Sequence, residues 1–373
     1  MSSATRRTVV VGGGVIGVST AQQLARAGAE VVLVTEAELV SNASGRSLSW
    51  LNSSAIRRDA YHQLRLLGID RYRTLAAQQP GITWLRFDGG LVWQSEEKAD
   101  ELRRIHEHQS AHGYASRMVS AAEVADVTPD VDPAAIPASG AIWNPGEGWV
   151  DLPSLVRHLA NDFIDCGGRL VTNAGPATVL TDGGSVRGVR TSAGEEFPAE
   201  IVVLATGSAV PAMVAEFGVT IPDATSLALL VTTTPTPLTL EAVLNTARAS
   251  VRPTPDGSLA VDSDWTEADI IRRADGSYDV PPATVEALLA EASRLLEGNP
   301  RLEAARFGIG PKPVPGDGEP VLGRLDEVEG LYVAFTHSGA TLGLIAGELL
   351  AWEMSRGEAH PLLAGFNPRR FRL

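Results

Sequence analysis

Short apolar runs alternate with amphipathic stretches from the start of this chain. Residues 8–11 form a continuous β-branched run, which is typical of a buried parallel strand. Residues 16–27 then carry apolar side chains at helical spacing, and residues 31–35 form a second apolar run. The pattern predicts a strand, a helix and a second parallel strand, which is the start of an α/β domain.

The same alternation continues along the chain, with β-rich segments that interrupt it. We expect helices over residues 59–79, 96–112, 152–164, 284–296 and 341–354. We expect strands over residues 169–172, 177–180, 185–191 and 331–335. We also expect a β segment over residues 83–93 with turn residues 88–90 inside it, and a buried strand that starts at residue 201 and runs into a glycine turn at Gly207. Residues 41–52 are small and polar and are predicted to form a loop. The predicted fold class is an α/β, Rossmann-like domain interrupted by other segments.

A glycine motif separates the first strand from the first helix. Gly12-Gly13-Gly14-Val15-Ile16-Gly17 supplies a tight turn at its first position, a close backbone approach to a pyrophosphate at its third, and tight packing at its last. Glu36 ends the second strand, where a carboxylate accepts both ribose hydroxyls of an adenosine and repels a 2′-phosphate. The motif predicts a dinucleotide other than NADP and leaves NAD and FAD open.

Composition narrows the class of protein. The 373 residues include 45 Asp and Glu against 31 Lys and Arg, a net charge of −14 that argues against nucleic acid or an anionic membrane as partner. No run approaches the roughly 18 apolar residues of a membrane helix. Cys166 is the one cysteine, so no internal disulfide forms and a cytoplasmic location is expected. Arg6-Arg7 is followed by the apolar run of residues 8–11, which leads into the glycine motif, so we expect no targeting signal.

Further motifs follow the glycine turn and Glu36 in a fixed order. They are Ser44-Gly45-Arg46-Ser47, Gly146-Glu147-Gly148-Trp149-Val150-Asp151, Leu204-Ala205-Thr206-Gly207, the stretch from Pro313 to Gly323, and His337-Ser338-Gly339-Ala340-Thr341-Leu342. With these motifs, the chain resembles the FAD-dependent D-amino-acid oxidase family, which contains glycine oxidase, sarcosine oxidase and D-amino-acid dehydrogenases. The resemblance covers essentially the whole chain.

The resemblance implies two interleaved domains and a FAD site. The FAD domain would take residues 1–83, 145–215 and 311–373, and a mixed-sheet α+β substrate domain would take residues 84–144 and 216–310. The implied FAD is non-covalent, because Cys166 lies far from the flavin motifs and residues 44–52 contain no histidine. The implied cofactor contacts are Gly12, Gly14, Val15, Ile16, Gly17, Glu36, Ala37, Gly45, Arg46, Ser47, Ser49, Trp50, Leu51, Ala177, Ala205, Thr206, Gly207, His337, Ser338, Gly339, Ala340, Thr341 and Leu342.

The resemblance also implies a reaction. Family members oxidise the C–N bond of a small amine or amino acid, of the glycine, sarcosine or D-amino-acid type, by hydride transfer to flavin N5. The imine is then hydrolysed, and electrons pass to O2, giving H2O2, or to a carrier. The helix that starts near Thr341 would point its positive N-terminus at the flavin N1/C2 region. A homo-oligomer is compatible with the sequence.

One position departs from the family pattern. Lys312 stands where an arginine usually grips the substrate carboxylate, and a lysine offers a point charge and no fork. It pairs with a carboxylate more loosely, addresses another substrate group, or is a solvated loop lysine. His337 is a second candidate catalytic residue, with a plain loop histidine as the alternative. Arg252 is a third, since it can supply the missing fork.

Two other functions therefore stay open. One is a pathway-specific amine oxidase whose substrate lacks a free α-carboxylate, and the other is a FAD-binding subunit without turnover. No metal is expected: among His106, His108 and His112, the first two do not share a helix face, and catalytic-metal spacing is missing nearby.

Overall fold

The computed structural model describes residues 6–372. This part of the chain contains seven α-helices: α1 Val15–Arg26, α2 Asp59–Gln78, α3 Ala99–Ala111, α4 Leu152–Asp165, α5 Val210–Ala215, α6 Pro282–Ser293 and α7 Gly339–Arg356. Its strands are β1 Thr8–Val11, β2 Val31–Val34, β3 Trp50–Leu51, β4 Leu85–Arg86, β5 Gly90–Trp93, β6 Arg117–Val119, β7 Ala141–Asn144, β8 Gly148–Val150, β9 Arg169–Val171, β10 Ala177–Asp182, β11 Ser185–Thr191, β12 Glu196–Pro198, β13 Ile201–Leu204, β14 Ser226–Thr233, β15 Val243–Thr246, β16 Ser250–Pro253, β17 Leu259–Asp262, β18 Ile271–Arg272, β19 Tyr278–Asp279, β20 Ala304–Lys312, β21 Val321–Arg324 and β22 Leu331–Phe335.

The chain divides into two compact units, each built from separate stretches of sequence. The first unit consists of residues 1–45, 152–226 and 311–373, and the second of residues 46–151 and 227–310. This division places residues 46–83 in the second unit, because β3 and β4 both pair with β8. The assignment of residues 1–83 to FAD binding therefore rests on the resemblance and stays a prediction.

A six-stranded sheet forms the centre of the first unit, in the order β21-β22-β13-β1-β2-β9. β1 lies between β2 and β13, and both pairings are parallel. All four β1 residues are buried, which explains why the strand is apolar without alternation. Only β21 runs antiparallel within this sheet. A separate antiparallel sheet, β10-β11-β12, joins the same core through Val189 and Phe197.

The second unit is built on an eight-stranded mixed sheet, in the order β20-β14-β17-β16-β15-β5-β7-β6. β5 and β15 are parallel neighbours, while β15, β16 and β17 form an antiparallel meander. A core that includes Leu91, Val251 and Leu288 packs this sheet against α6. The predicted fold class is confirmed: a Rossmann-like α/β unit is interleaved with a mixed-sheet α+β unit.

Some element bounds differ from the predicted ones. The β segment expected over residues 83–93 consists of β4 and β5; the predicted turn residues Asp88 and Gly89 lie between these strands, whereas Gly90 begins β5. The strand expected from residue 201 ends at Leu204, and Gly207, where a glycine turn was predicted, has a φ of +61°. Residues 41–52, expected as a loop, contain the short strand β3. Cys166 is exposed one residue beyond α4. Within residues 6–372, every helix is too short or too polar to cross a membrane.

Candidate functional site

The turn between β1 and α1 leaves no room for side chains. Gly12 has a φ of +125°, and a Cβ there would lie 2.3 Å from the Ala205 carbonyl oxygen. A Cβ on Gly17 would lie 2.0 Å from the Gly12 carbonyl oxygen. Both glycines are therefore required by contact, as the motif predicts. The turn also brings Ala205, the residue after β13, against the glycine loop.

The N-terminus of α1 is capped from a distant loop. Gly14 occupies the N-cap position and offers no side chain, so the hydroxyl of Ser44 accepts the Val15 N–H at 3.0 Å. Ser44 lies in a 3-10 turn, and Gly45 is needed there because a Cβ would lie 2.2 Å from the Val40 carbonyl oxygen. Sequence reasoning did not assign this role to Ser44, since the cap comes from 29 residues away.

Glu36 is exposed just past the end of β2. In the described part of the chain, its carboxylate makes no salt bridge, and its backbone carbonyl accepts the Gly175 N–H at 3.0 Å. Ala37 accepts a similar bond from Asn173. Ala177 begins β10 two residues beyond Gly175. The segment after β2, which contains Glu36 and Ala37, is thus hydrogen-bonded to the segment that leads into β10, where Ala177 lies.

The N-terminus of α7 lies beside that of α1. A Cβ on Gly339 would be 3.7 Å from Val15 Cγ1, and one on Gly347 would be 2.3 Å from Ser19 Oγ, so the two helices pack closely. Neither helix has an acidic residue in its first turn or a cap from its own N-cap side chain. Two positive helix ends therefore meet at the carboxyl end of the parallel sheet, where an anionic ligand is stabilised.

The predicted cofactor residues between β22 and the first turn of α7 differ in exposure. His337 is exposed between β22 and α7, whereas Ser338, Thr341 and Leu342 are buried. Gly339 and Ala340 are partly exposed at the helix start. Across the sheet, Ala205, Thr206 and Gly207 follow β13, and Thr206 and Gly207 are partly exposed. The structure therefore brings the predicted loops that follow β1 and β13 together in the first unit.

The remaining predicted cofactor residues belong to the second unit. The side chain of Arg46 lies against β20, where a Cβ on Gly308 or Gly310 would collide with it. Burial lowers the pKa of Arg46. Ser49 adopts a φ of +59°, and its N–H donates to Ser47 Oγ at 3.0 Å. Trp50 and Leu51 form β3 opposite Trp149 and Gly148, with Leu51 fully buried.

The three candidate catalytic residues lie in different surroundings. Lys312 is the last residue of β20 and is partly buried. His337 is exposed in the first unit. Arg252 lies in β16 of the second unit and is only 4% exposed. Its guanidinium carbon is 5.3 Å from the centre of the Trp149 ring, within cation–π distance.

A buried carboxylic acid in the second unit was not predicted as a site residue. Glu147 is fully buried, and its Oε1 accepts the Tyr114 hydroxyl at 2.6 Å. Burial raises the pKa of Glu147 to about 7, against the opposing effects of Tyr114 and Arg65. The sequence signal was weak, because Glu147 stands between two glycines and such a turn is usually exposed.

The Glu147 contact continues through two more buried side chains. The Ser53 N–H donates to the Tyr114 oxygen at 3.0 Å, and Ser53 Oγ lies 2.8 Å from His62 Nδ1. Burial, with further contributions from nearby histidines and arginines, lowers the pKa of His62. We call Glu147, Tyr114, Ser53 and His62 the buried polar chain. It fixes the segment that follows Trp50 and Leu51, two predicted flavin contacts.

A Rossmann-like βαβ unit with a glycine cradle and two converging helix N-termini defines a dinucleotide-binding protein. The family model of the FAD-dependent oxidoreductases named DAO matches residues 7–352. The chain therefore belongs to this family, is an enzyme of the oxidoreductase class and uses FAD. The cradle fits that cofactor, because its tight glycine turn leads into a helix N-terminus whose free backbone N–H groups suit a pyrophosphate.

Curated relatives match over most of the chain. A D-amino acid dehydrogenase from Cereibacter sphaeroides is 28% identical over 95% of this chain and 90% of its own. A glycine oxidase from Geobacillus kaustophilus is 26% identical over 97% of this chain and 96% of its own. These matches confirm the resemblance to amino-acid-oxidising flavoproteins.

Solved structures share the fold. The glycine oxidase structure from Geobacillus kaustophilus superimposes with a TM-score of 0.81 at 24% identity, covering 99% of this chain and 100% of that one. An L-amino acid deaminase from Proteus myxofaciens gives a TM-score of 0.84 at 18% identity, covering 100% and 94%. At these identities the likeness establishes the fold alone.

Proposed function

We propose that this protein oxidises the C–N bond of a small amine or amino acid, of the glycine, sarcosine or D-amino-acid type. The observation that carries this proposal is the cradle of the first unit, where α1 and α7 present their N-termini side by side. Curated relatives named D-amino acid dehydrogenase and glycine oxidase support the same chemistry. A cytoplasmic location is part of the proposal and rests on cysteine usage.

Residues of the first unit would hold FAD without a covalent bond. Gly12, Gly14 and Gly17 would take the pyrophosphate at the N-terminus of α1, and Glu36 would accept the adenosine ribose hydroxyls. When bound, FAD supplies a ring that accepts a hydride at N5. The N-terminus of α7 would stabilise the negative charge that the ring gains, because no acidic residue in its first turn offsets the helix dipole.

The chain then has to bind the amine in its neutral form and exclude water from the reacting C–H bond. Loss of a proton from nitrogen and of a hydride from carbon leaves an imine. Water converts that imine to a carbonyl compound and an amine or ammonia. The two electrons go on to O2, forming H2O2, or to an electron carrier.

Lys312 favours a second candidate within the same reaction class. Because lysine lacks the planar fork of arginine, a substrate without a free α-carboxylate suits this position as well. The protein would then be an amine oxidase specific to one pathway.

Anaerobic mixing of the purified holoprotein with single amines tests the proposal. The panel contains glycine, sarcosine, both alanine enantiomers and carboxylate-free amines. We expect a substrate to bleach the yellow flavin band with one equivalent of carbonyl product per flavin. Readmission of O2 with a peroxide assay then separates an oxidase from a dehydrogenase. If every amine leaves the band unchanged, the protein is a FAD-binding subunit without turnover and the proposal fails.

A further inference from the structure

Arg252 is a charged residue on an inner strand of the eight-stranded sheet. β16 lies between β15 and β17, and Arg252 pairs with Ala260 across the ladder to β17. The residue is 4% exposed, so its guanidinium has lost most of its water. A buried cation is costly unless other groups compensate for the lost solvation, which makes the partners of Arg252 informative.

The protein contacts of the Arg252 guanidinium leave one of its hydrogen-bonding edges without an acceptor among the described residues. One face is covered by the Trp149 ring at 5.3 Å, and Nη1 donates to the Pro253 carbonyl oxygen at 2.9 Å. Nε is enclosed and has no acceptor within the described chain. Nε and the adjacent Nη2 form one of the two-donor edges through which arginine binds a carboxylate in a bidentate manner.

No nearby protein carboxylate among the described residues accepts a hydrogen bond from Nε at this edge. Asp151, Asp256 and Asp262 act on Arg252 through space, and burial still lowers its pKa to about 10. The indole Nε1 of Trp149 is a second enclosed donor without an acceptor among the described residues. Two unpartnered donors beside each other call for a ligand that brings acceptor oxygens.

Arg248 shows the same stacking on a tryptophan ring, but it is also paired with a protein carboxylate. Its guanidinium carbon lies 5.2 Å from the centre of the Trp265 ring, and its Nη2 pairs with Glu291 Oε1 at 3.2 Å. That side chain is 59% exposed, so water can solvate it as well. Arg252 has the stacked ring, but it has no protein carboxylate as an ion-pair partner and it is shielded from solvent. This is the arrangement expected of a site that receives an external anion.

We propose that Arg252, stacked on Trp149, binds the carboxylate of the substrate, which is therefore an amino acid. Arg252 then supplies the bidentate contact to the carboxylate that Lys312, which has no guanidinium, cannot make. This inference rests on the proposed function, since it names the substrate class of the same reaction. It excludes carboxylate-free amines as the preferred substrates.

Matched acids and carboxamides test the proposal in the FAD-loaded protein. Dissociation constants come from anaerobic flavin reduction by glycine, sarcosine and D-alanine and by the corresponding amides. Thermal protection by acetate against acetamide gives a readout without turnover. In Arg252→Gln we expect the affinity for the acids to fall about 10- to 100-fold, with the amides changed less than about threefold. Arg248→Gln, the stacked and exposed control, should keep the wild-type preference for acids.

Several results would overturn this assignment. Equal weakening of acids and amides in Arg252→Gln means that Arg252 only supports the fold. Loss of the preference in Lys312→Gln alone assigns the carboxylate to Lys312. If Arg252→Gln does not fold, Arg252→Lys replaces it, and an undiminished preference for acids in that variant overturns the proposal. A wild-type protein that is bleached by amines but not better by acids contradicts this inference alone, whereas no bleaching by any amine contradicts the proposed function.

Discussion

The hydroxyl of Tyr114 donates a 2.6 Å hydrogen bond to the buried carboxyl group of Glu147. The same oxygen accepts the Ser53 N–H at 3.0 Å, so one phenol joins two parts of the second unit that lie 61 and 33 residues away in sequence. Each of these groups is shielded from water, and none can exchange its partner for solvent. The buried polar chain is therefore sensitive to the loss of any one member.

Tyr114→Phe removes the donor to Glu147 and the acceptor of Ser53 at once. We expect the free energy of unfolding to fall by about 2–4 kcal/mol, because two buried polar groups are left unsatisfied. Urea unfolding followed by circular dichroism measures the change. Tyr278→Phe, at a partly exposed strand of the same unit, should cost less than about 0.5 kcal/mol. A loss in Tyr114→Phe as small as in this control would contradict the expectation.

Glu147 should make stability depend on pH. Its pKa is about 7 in the native state against 4.5 for an ordinary glutamate, so the native protein holds an extra proton between these values. The contribution to stability is therefore complete below about pH 4.5 and disappears as pH rises to about 7, with an upper limit on the order of 3 kcal/mol. Glu147→Gln lacks this titration, so its stability relative to the wild type should increase from pH 4.5 to 7.5. If the difference in free energy of unfolding between the two proteins is the same at every pH in this range, the effect is ruled out.

Ser44→Ala deletes the cap on α1. We expect a loss of about 1 kcal/mol in stability, the usual value for a helix cap, and weaker FAD binding because the glycine cradle is less ordered. Thermal unfolding and flavin fluorescence titration measure the two effects. Ser44→Thr keeps a hydroxyl and should stay near the wild type. Equal behaviour of the alanine and threonine variants would show that the hydroxyl does not matter.

Gly17→Ala should weaken FAD binding strongly. The added Cβ would sit 2.0 Å from the Gly12 carbonyl oxygen, so the turn has to open and the helix N-terminus has to move. The protein should purify without its yellow colour and with a dissociation constant for FAD raised at least about 100-fold, which corresponds to roughly 3 kcal/mol. Gly28→Asn is the matched control, because Gly28 faces open space at a φ of +82° that asparagine tolerates. A yellow Gly17→Ala protein would refute this account of the cradle.

Local patterns were sufficient to predict the glycine turn between β1 and α1, whereas the expectation of two interleaved domains came from the resemblance to the oxidase family. Gly12 and Gly17 lie close to each other in sequence, and their contacts involve the turn itself and the strand beside it. The cap from Ser44 and the burial of Glu147 depend on residues that only the folded chain brings together. Glu147 is enclosed because Gly90 leaves space for its carboxyl group, and a Cβ on Gly90 would lie 2.3 Å from Oε2. A local sequence pattern cannot predict a contact between residues as far apart in sequence as Gly90 and Glu147.

The position of Cys166 gives this protein a ready-made attachment point. It is the chain's single cysteine, it is exposed, and it follows α4 in the first unit. A maleimide fluorophore would therefore react at one defined place in the natural sequence, without the removal of competing thiols. The dye's emission could then be followed as FAD is added, so that cofactor uptake becomes an optical signal measured apart from turnover.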